Sequence, residues 1–350
     1  MKLKSFAAFA GLTLAALIAA IFAAQDRDAG PPAASGQPLI PGLAQKINQV
    51  TVVVVSTANQ SLTLTRSDPE SDRWTIVEKF GYPADPGQIR RVVVALAGAK
   101  AIEPRTADPG QYSKLALGDD SATTITLRSA DGTELPALAI GKTVSGATPD
   151  HPGSFYARRT AEPQTWLAEG RLPPLTADPA QWLPGDLPSL PRDRIASVTI
   201  TRPGAEPITI ARKEPGVADF TASGLPKTGK ARQAKLNDLA GADEFLGFED
   251  VAPAEPDTGN ASVTTIFKSF DGEVLAVRVQ LRDGNAWASF AASLETASPS
   301  PEASQRIKEF QSRYGGWSYR LSDAAAKELA PAPDELVEPA KTDDGPAKRK

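Results

Sequence analysis

The chain has 350 residues, enough for two ordinary domains, and its balance of 41% hydrophobic and 23% charged residues is typical of a globular protein. Its formal net charge of -4 gives no positive field for collecting phosphates, so the sequence argues against nucleic acid binding. The absence of cysteine excludes disulfides, thiol catalysis and thiolate metal sites.

An uncharged segment close to the N-terminus predicts a membrane anchor. Lys2 and Lys4 precede Ser5–Ala24, which has about the 20 apolar residues that a helix needs to cross a bilayer core. A cleaved signal peptide is the alternative, but its apolar region usually has only about 7 to 15 residues. Cleavage would also place Phe22 or Ile21 where a small residue is needed. We therefore expect an uncleaved transmembrane helix over residues 5–24.

The charges around this segment predict its orientation. The lysines before it should stay in the cytoplasm, because the charges after it (Asp26, Arg27 and Asp28) are mixed. We therefore expect a single-pass protein of the inner (cytoplasmic) membrane whose body faces the periplasm. Residues 25–46 are predicted to be a flexible linker, since Pro, Gly, Ala and Ser dominate most of that stretch.

Residues 47–190 read as a first α+β copy, in which short strands surround one helix. Asp85 and Pro86 are suited to start that helix, and its apolar residues from Ile89 to Leu96 fall on one face. Asp131-Gly132 is suited to a tight hairpin turn. The predicted strands are Ile47–Val55, Ser61–Thr65, Arg73–Val77, Thr123–Arg128, Leu135–Ile140, Phe155–Arg159 and Thr165–Ala168.

Residues 191–330 repeat this order, which predicts a second copy. Leu96-Ala97-Gly98-Ala99 returns as Leu239-Ala240-Gly241-Ala242, and the Asp-Gly turn returns as Asp271-Gly272. The predicted elements are strands at Ile195–Thr201, Ile208–Arg212, Asp219–Ala222, Val263–Phe267, Leu275–Leu281 and Trp317–Leu321, with helices at Ala231–Ala240 and Glu302–Arg313.

The predicted fold class is therefore α+β, with two tandem copies of an antiparallel-sheet-plus-helix unit behind one N-terminal transmembrane helix. Residues 331–350 are predicted to be a disordered charged tail, because the apolar period is lost there.

The order of several short motifs resembles the domain of unknown function family number 4340. These motifs are Trp74 before Pro83-Ala84-Asp85, Tyr112-Ser113-Lys114-Leu115, Ile140-Gly141-Lys142, Trp182-Leu183, Phe270-Asp271-Gly272, Gly316-Trp317-Ser318-Tyr319-Arg320-Leu321 and Asp334-Glu335-Leu336. The resemblance covers residues 47 to about 336. It implies an auxiliary component of gliding-motility-type ABC transport systems, with ABC-type permease or ATPase subunits as partners. It implies no catalytic residues.

Residues with chemical potential are few, and we predict no catalytic, cofactor or metal site. His151, the one histidine, lies between Pro and Gly residues and reads as an exposed turn. The acidic pairs Asp119-Asp120 and Glu249-Asp250 read as solvated turns, and no Walker loop, Rossmann fingerprint or nucleophile elbow occurs.

The tryptophans and one basic pair are the candidate binding residues. Trp74, Trp287 and Trp317 are expected in the core, because they lie within apolar strand patterns. Trp166 and Trp182 flank the proline-rich join between the copies, where a ligand groove would be sought first. With Arg158 and Arg159 they form the predicted ligand or partner surface.

The leading functional hypothesis is a membrane-anchored scaffold or accessory subunit that acts through protein–protein interaction. A periplasmic module that binds a substrate or glycan between the copies is the alternative, and an enzyme of unrecognised type is the third. The sequence does not identify any small-molecule ligand.

Overall fold

The fold is that of a computed structural model, which describes residues 36–227, 229–244, 246–255, 262–295 and 300–338. Contacts divide the described chain into two compact units. Unit 1 contains residues 36–74 and 85–177, and unit 2 contains residues 75–84 and 178–338. The predicted anchor Ser5–Ala24 lies outside the described residues. Within the described ranges, no helix has both the length and the apolar character needed to cross a membrane.

The first part of the chain is built from short strands whose residues alternate between buried and half-exposed positions. The described residues up to 169 form β1 (Val50–Ser56), β2 (Ser61–Thr65), β3 (Thr75–Ile76), β4 (Tyr82–Pro83), β5 (Lys100–Pro104), β6 (Thr123–Ser129), β7 (Leu138–Ser145), β8 (Ser154–Arg159) and β9 (Thr165–Glu169). Within unit 1 the neighbouring strands follow the order β2-β1-β6-β7-β8-β9-β5 and pair antiparallel.

The described residues of unit 1 include the helices α1 (Leu43–Lys46) and α2 (Pro86–Gly98). Helix α2 starts as the sequence predicts, because Asp85 accepts a hydrogen bond from the Gly87 backbone N–H at 2.8 Å and Pro86 occupies the first turn. The four residues at i, i+3, i+4 and i+7 (Ile89, Val92, Val93 and Leu96) are all buried.

Unit 2 has the same architecture. Its strands are β10 (Ile195–Thr201), β11 (Ile208–Ala211), β12 (Thr221–Ser223), β13 (Asp250–Pro253), β14 (Val263–Ser269), β15 (Glu273–Arg282), β16 (Asn285–Leu294) and β17 (Trp317–Leu321), in the order β12-β11-β10-β14-β15-β16-β17-β13. Its helices are α3 (Gln233–Leu239), α4 (Pro301–Tyr314) and α5 (Asp323–Leu329).

Seven consecutive strands follow the same order in both units, so the repetition seen in the sequence is a repetition of topology. Strands β1, β2, β6, β7, β8, β9 and β5 correspond to β10, β11, β14, β15, β16, β17 and β13. Even an irregularity recurs. The β1–β6 register shifts between Val50 and Val52, and the β10–β14 register shifts between Ile195 and Ser197.

An arginine clamp secures the start of the first strand in unit 1. Arg66 donates from Nε to the Val50 carbonyl oxygen at 2.8 Å, and from its two terminal nitrogens to the carbonyl oxygens of Asn48 and Ser71 at 2.7 and 3.0 Å. Its guanidinium lies over the Trp74 ring, 4.9 Å from the centroid. Three backbone carbonyl groups, including that of Val50 at the register shift, thereby gain a donor.

Unit 2 repeats the clamp with Arg212. Its Nε donates to the Ile195 carbonyl oxygen at 2.8 Å. Its terminal nitrogens donate to the carbonyl oxygens of Arg192, Asp193 and Val217 at 2.8, 2.7 and 3.0 Å. The guanidinium lies 4.9 Å from the Phe220 centroid. In both copies the aromatic residue follows the arginine by eight positions, which the sequence analysis did not detect.

The outer face of the unit 1 sheet has a cover that follows β5. Eighteen residues (105–122) separate β5 from β6, and within them Leu117 and Ala122 pack on Ala139 of β7. In unit 2 the corresponding connection, between β13 and β14, has only nine residues (254–262). The position equivalent to Ala139 there is Arg278, because Ala139 pairs with Thr124 of β6 and Arg278 pairs with Thr264 of β14. The residue beneath the cover in unit 1 is thus a small alanine, whereas the residue at the equivalent position of unit 2 is a charged arginine.

Three sequence predictions differ from the structure. Within the predicted linker 25–46, Leu39, Ile40 and Leu43 are buried, because three apolar side chains after the proline-rich stretch can pack on unit 1. Within the predicted tail 331–350, Leu336 and Val337 are buried and the backbone pairs with residues 230–232, while residues 339–350 lie outside the described chain. The predicted strand Leu135–Ile140 starts only at Leu138, since Pro136 has no N–H for a ladder.

The arginine clamp predicts a stability effect that should be the same in both copies. Arg66→Ala removes three donated hydrogen bonds and one cation–π contact, and Arg212→Ala removes four donated hydrogen bonds and two cation–π contacts. Either change should lower the free energy of unfolding by about 2–3 kcal/mol. Urea titration followed by circular dichroism measures this. The matched control is Arg73→Ala at an exposed position, with an expected change within about 0.5 kcal/mol. Equal effects of Arg66→Ala and Arg73→Ala would show that the clamp is unimportant.

The cover of unit 1 predicts a second effect, at Gly141. A Cβ there would lie 2.2 Å from the Leu115 carbonyl oxygen, so Gly141→Ala should force the cover away and cost about 1–3 kcal/mol. Gly98→Ala, at the end of α2 with no atom within 4 Å of the new methyl group, should instead be neutral or stabilising by up to about 1 kcal/mol. Thermal unfolding of both variants compares them. A tolerated Gly141→Ala would contradict the close approach.

Candidate functional site

The two tryptophans of the predicted groove lie in different units. Trp166 on β9 belongs to unit 1 and Trp182 belongs to unit 2, and both side chains are buried. The Trp166 indole N–H finds no hydrogen-bond acceptor among the described residues. Neither ring presents a face on which a sugar or peptide can stack. Trp74 is buried as predicted, whereas Trp287 and Trp317 are half-buried.

The predicted basic pair has structural partners within unit 1. Arg159 donates to the backbone carbonyl oxygens of Leu39 and Pro38 at 2.8 and 2.9 Å and forms an ion pair with Glu162. Arg158 lies 4.8 Å from the Tyr112 ring centroid and donates to nearby carbonyl oxygens. Arg159 therefore holds the segment that contains Pro38 and Leu39 against the unit 1 sheet.

The other chemical candidates are dispersed. His151 lies exposed in a turn, where its backbone N–H donates to the Thr148 hydroxyl at 3.1 Å. Glu249 forms an ion pair with Arg320, and Asp250 forms one with Lys79. Within the described ranges, no group of three or more His, Asp or Glu side chains is placed to hold a metal ion.

The candidate site is a surface hairpin that sequence reasoning did not identify. Residues 75–84, which we call the tip hairpin, contain β3 and β4 paired through Thr75↔Pro83 and Ile76↔Tyr82. Although unit 1 residues flank this segment in sequence on both sides, it groups with unit 2.

Tyr82 anchors the base of the tip hairpin in an aromatic cluster of unit 2. Its ring meets those of Trp317, Tyr319 and Phe248 edge to face, with centroid distances of 4.9, 6.0 and 6.5 Å. Its hydroxyl donates to the Tyr319 hydroxyl at 3.3 Å. Burial raises the pKa of both phenols, so the pair is neutral.

An ion pair provides a second anchor nearer the turn. Lys79 Nζ lies 2.5 Å from Asp250 Oδ1, and both side chains are largely shielded from water. Because Asp250 is the first residue of β13, this contact joins the turn to an ordered strand. The tip hairpin is thus fixed at two points by side chains of different chemistry.

On either side of Lys79 the tip hairpin presents an apolar side chain to solvent. Phe80 is 70% exposed and Val77 is 52% exposed. Phe80 also has a left-handed backbone with φ 57° and ψ 29°, which costs a non-glycine residue roughly 1–2 kcal/mol. Gly81 follows with φ 76°. A strained, exposed aromatic residue on a fixed support is a feature of binding sites rather than of packing.

A separate buried carboxyl group lies elsewhere in unit 2. Asp243 is 1% exposed, and its Oδ2 accepts a hydrogen bond from the Leu190 backbone N–H at 2.7 Å. Its Oδ1 has no partner among the described residues. Burial raises the pKa of Asp243 to about 7, and the Leu190 hydrogen bond only partly offsets this effect.

Asp243 predicts that stability falls with pH in a defined window. Its carboxyl pKa is 3.8 unfolded and about 7 folded, so between these values the folded state holds a proton that the unfolded state has lost. The free energy of unfolding should therefore decrease by about 4 kcal/mol in total as the pH rises from below about 4 to about 8, and should then level off. Asp243→Asn should remove this decrease, as measured by urea unfolding at pH 5 and pH 8.

The control for this measurement is Asp238→Asn, at an exposed position of the adjacent helix α3. It should leave the pH dependence of the wild type intact. A wild-type protein whose stability rises between pH 5 and pH 8 would contradict the assignment.

Comparison with known proteins gives one match. The profile of a family described as Domain of unknown function (DUF4340) matches residues 74–262, which is more than half of the chain and includes the whole tip hairpin. A comparison with curated proteins finds no significant match. A comparison with solved structures finds none either.

Proposed function

This chain belongs to the family of domains of unknown function DUF4340, as its motifs predict, and on that premise we propose that it is a non-catalytic accessory protein acting through protein–protein interaction. The tip hairpin is the contact that we assign to this function. The observation that carries the proposal is Phe80, an aromatic side chain 70% exposed on a strained backbone between two anchors.

Two side chains of the tip hairpin, Phe80 and Val77, serve no packing purpose, whereas Tyr82 and Ile76 are buried. Phe80 and Val77 gain little from burial within the chain, and the left-handed backbone at Phe80 costs stability. A partner that covers both side chains would recover the apolar burial that the free protein forgoes. Since the Tyr82 cluster and the Lys79–Asp250 pair already fix the backbone, binding would require little further ordering.

We further propose that the protein is tethered to the inner membrane by Ser5–Ala24, with its body in the periplasm. Support comes from the uncharged length of that segment and from the two lysines before it. Tethering would confine the protein near other membrane subunits and raise its effective concentration, so that a small contact such as the tip hairpin would suffice. The resemblance to auxiliary components of gliding-motility-type transport systems suggests an ABC-type permease or ATPase as the partner.

Site-specific cross-linking in native membranes tests this function. A photoreactive benzophenone side chain at position 77 should give one discrete adduct, which mass spectrometry should identify as a membrane transporter subunit. The adduct should disappear when Ser5–Ala24 is replaced by a cleavable leader. A benzophenone at position 281 is the matched control, since Leu281 is 74% exposed in the same unit but outside the tip hairpin. Equal adducts at both positions would contradict a specific contact.

Phe80→Asn separates binding from folding. Asparagine tolerates the left-handed backbone, so the free energy of unfolding should be unchanged or higher by up to about 1 kcal/mol. The yield of the position 77 adduct should nevertheless fall at least tenfold. Leu281→Asn should change neither quantity. A large loss of stability in Phe80→Asn would instead mean that Phe80 is part of the packing.

A further inference from the structure

One hairpin differs between the two copies in both register and loop length. In unit 2, β15 and β16 pair in unbroken register from Glu273↔Leu294 to Arg282↔Asn285 and are joined by two residues. In unit 1, the register of β7 and β8 shifts between Ile140 and Thr143 and again between Thr143 and Ser145. Eight residues (146–153) join these strands. Where two copies share a scaffold, such local irregularity marks a site with its own purpose.

Strand β7 also extends beyond the end of β6, its neighbour on the side opposite β8. The β6–β7 ladder ends at Thr123↔Ile140, while β7 continues to Ser145. The chain before β6 does not continue alongside, because it turns through Ala122, whose N–H donates to the Gly118 carbonyl oxygen at 2.9 Å. Residues 141–145 therefore have a strand neighbour on the β8 side and none on the β6 side among the described residues.

The space beside this free edge is a cleft of about 480 Å³, within the usual range for ligand sites. Five hydroxyl-bearing residues are among those that line it: Ser121, Thr123, Thr143, Ser145 and Ser154. Phe155, Leu172 and Leu175 supply apolar surface. We call it the β7 cleft. It lies within unit 1 and shares no residue with the tip hairpin.

Two glycines shape the β7 cleft. Gly141 cannot carry a side chain, because a Cβ would meet the Leu115 carbonyl oxygen. The equivalent position of unit 2 is Gln280. Gly141 follows the last residue of β7 that pairs with β6, and Gln280 follows the last residue of β15 that pairs with β14. Gly153 has φ 81°, and a Cβ there would lie 2.8 Å from the Ala147 backbone nitrogen. Both positions bring main chain close to the cleft.

One charge faces the β7 cleft. Lys142 is exposed, and it is the single charged side chain among the described residues that line the cleft. Its ammonium group lies 6.0 Å from the Tyr156 ring centroid and forms no ion pair within the described ranges. The charge is therefore complementary to an anion.

We propose that the β7 cleft binds an extended peptide segment of a partner protein. The segment adds as a strand along residues 141–145 and places a carboxylate at Lys142. The free edge supplies main-chain donors and acceptors over five residues, about 17 Å of strand, which a small anion cannot use. A lysine and register shifts discourage indiscriminate pairing at a free edge, so a segment that pairs here has to bring a negative charge to Lys142.

Because the chain contains no cysteine, a single introduced thiol reports on the β7 cleft. Thr143→Cys in the full-length protein in detergent should react freely with a maleimide. The probe is a pool of acetylated random pentapeptides with free carboxylates, since strand addition relies on the main chain and tolerates many sequences. Millimolar pool should slow the labelling at least fivefold.

Three further arms identify the chemistry. The same pool as C-terminal amides should protect less, with the residual protection coming from acidic side chains. A pool N-methylated at alternate residues should not protect, because ladder hydrogen bonds are blocked. Lys142→Gln should weaken protection by the acid pool, and Lys142→Arg should retain it. Leu281→Cys, in the regular hairpin of unit 2, is the control: its rate of maleimide labelling should be the same with every peptide pool and without peptide.

Equal protection by N-acetylvaline and by the acid pool would overturn the proposal in favour of a small-anion site. Absence of protection by the acid pool would overturn it as well. Phe80→Asn should leave the protection unchanged, so failure of the β7 cleft and failure of the tip hairpin are separate results.

Discussion

In each unit the sheet depends on an arginine that secures the start of the first strand. Arg66 donates to three backbone carbonyl oxygens and Arg212 to four, and each guanidinium lies over an aromatic ring eight residues later. The clamp sits at the register shift where β1 meets β6, and β10 meets β14. Since every later strand of the ladder is placed relative to that pairing, the clamp fixes which side chains face the core.

On this common scaffold the copies have diverged at particular places. Unit 1 carries a cover over its outer face, with Ala139 and Gly141 where unit 2 has Arg278 and Gln280. Unit 1 also has the irregular β7–β8 hairpin, and unit 2 includes the tip hairpin. The shared parts explain stability, and the parts that differ are where we place binding. Duplication permits this division, because one scaffold can be kept while its loops change.

The sequence predicted the features that local chemistry determines. Helix α2 followed from an N-cap aspartate, a first-turn proline and an apolar stripe, and the repeated order of elements followed from the Leu-Ala-Gly-Ala and Asp-Gly motifs. The clamps escaped notice because an arginine and an aromatic residue eight positions apart form no periodic pattern. Leu336 and Val337 were assigned to a tail because two apolar residues among charges carry no period either, although tertiary contacts bury them.

The candidate site was harder to predict than the fold. Trp166, Trp182, Arg158 and Arg159 were chosen for their chemistry, but large rings and planar guanidinium groups are also the best packing and clamping side chains. Phe80 looked like an ordinary apolar residue in a turn. Its exposure results from anchors at Tyr82 and Lys79, whose partners lie more than 150 residues away. Only the tertiary structure distinguishes a presented aromatic residue from a packed one.

The central claim is that binding occurs where the two copies differ. Hydrogen–deuterium exchange of the full-length protein, alone in detergent and within its cross-linked membrane complex, tests it most directly. The account predicts that backbone amides at residues 77–81 and 141–146 gain protection in the complex, while the regular β15–β16 hairpin does not change. Protection confined to β15–β16, or spread evenly over equivalent strands of both copies, would contradict it.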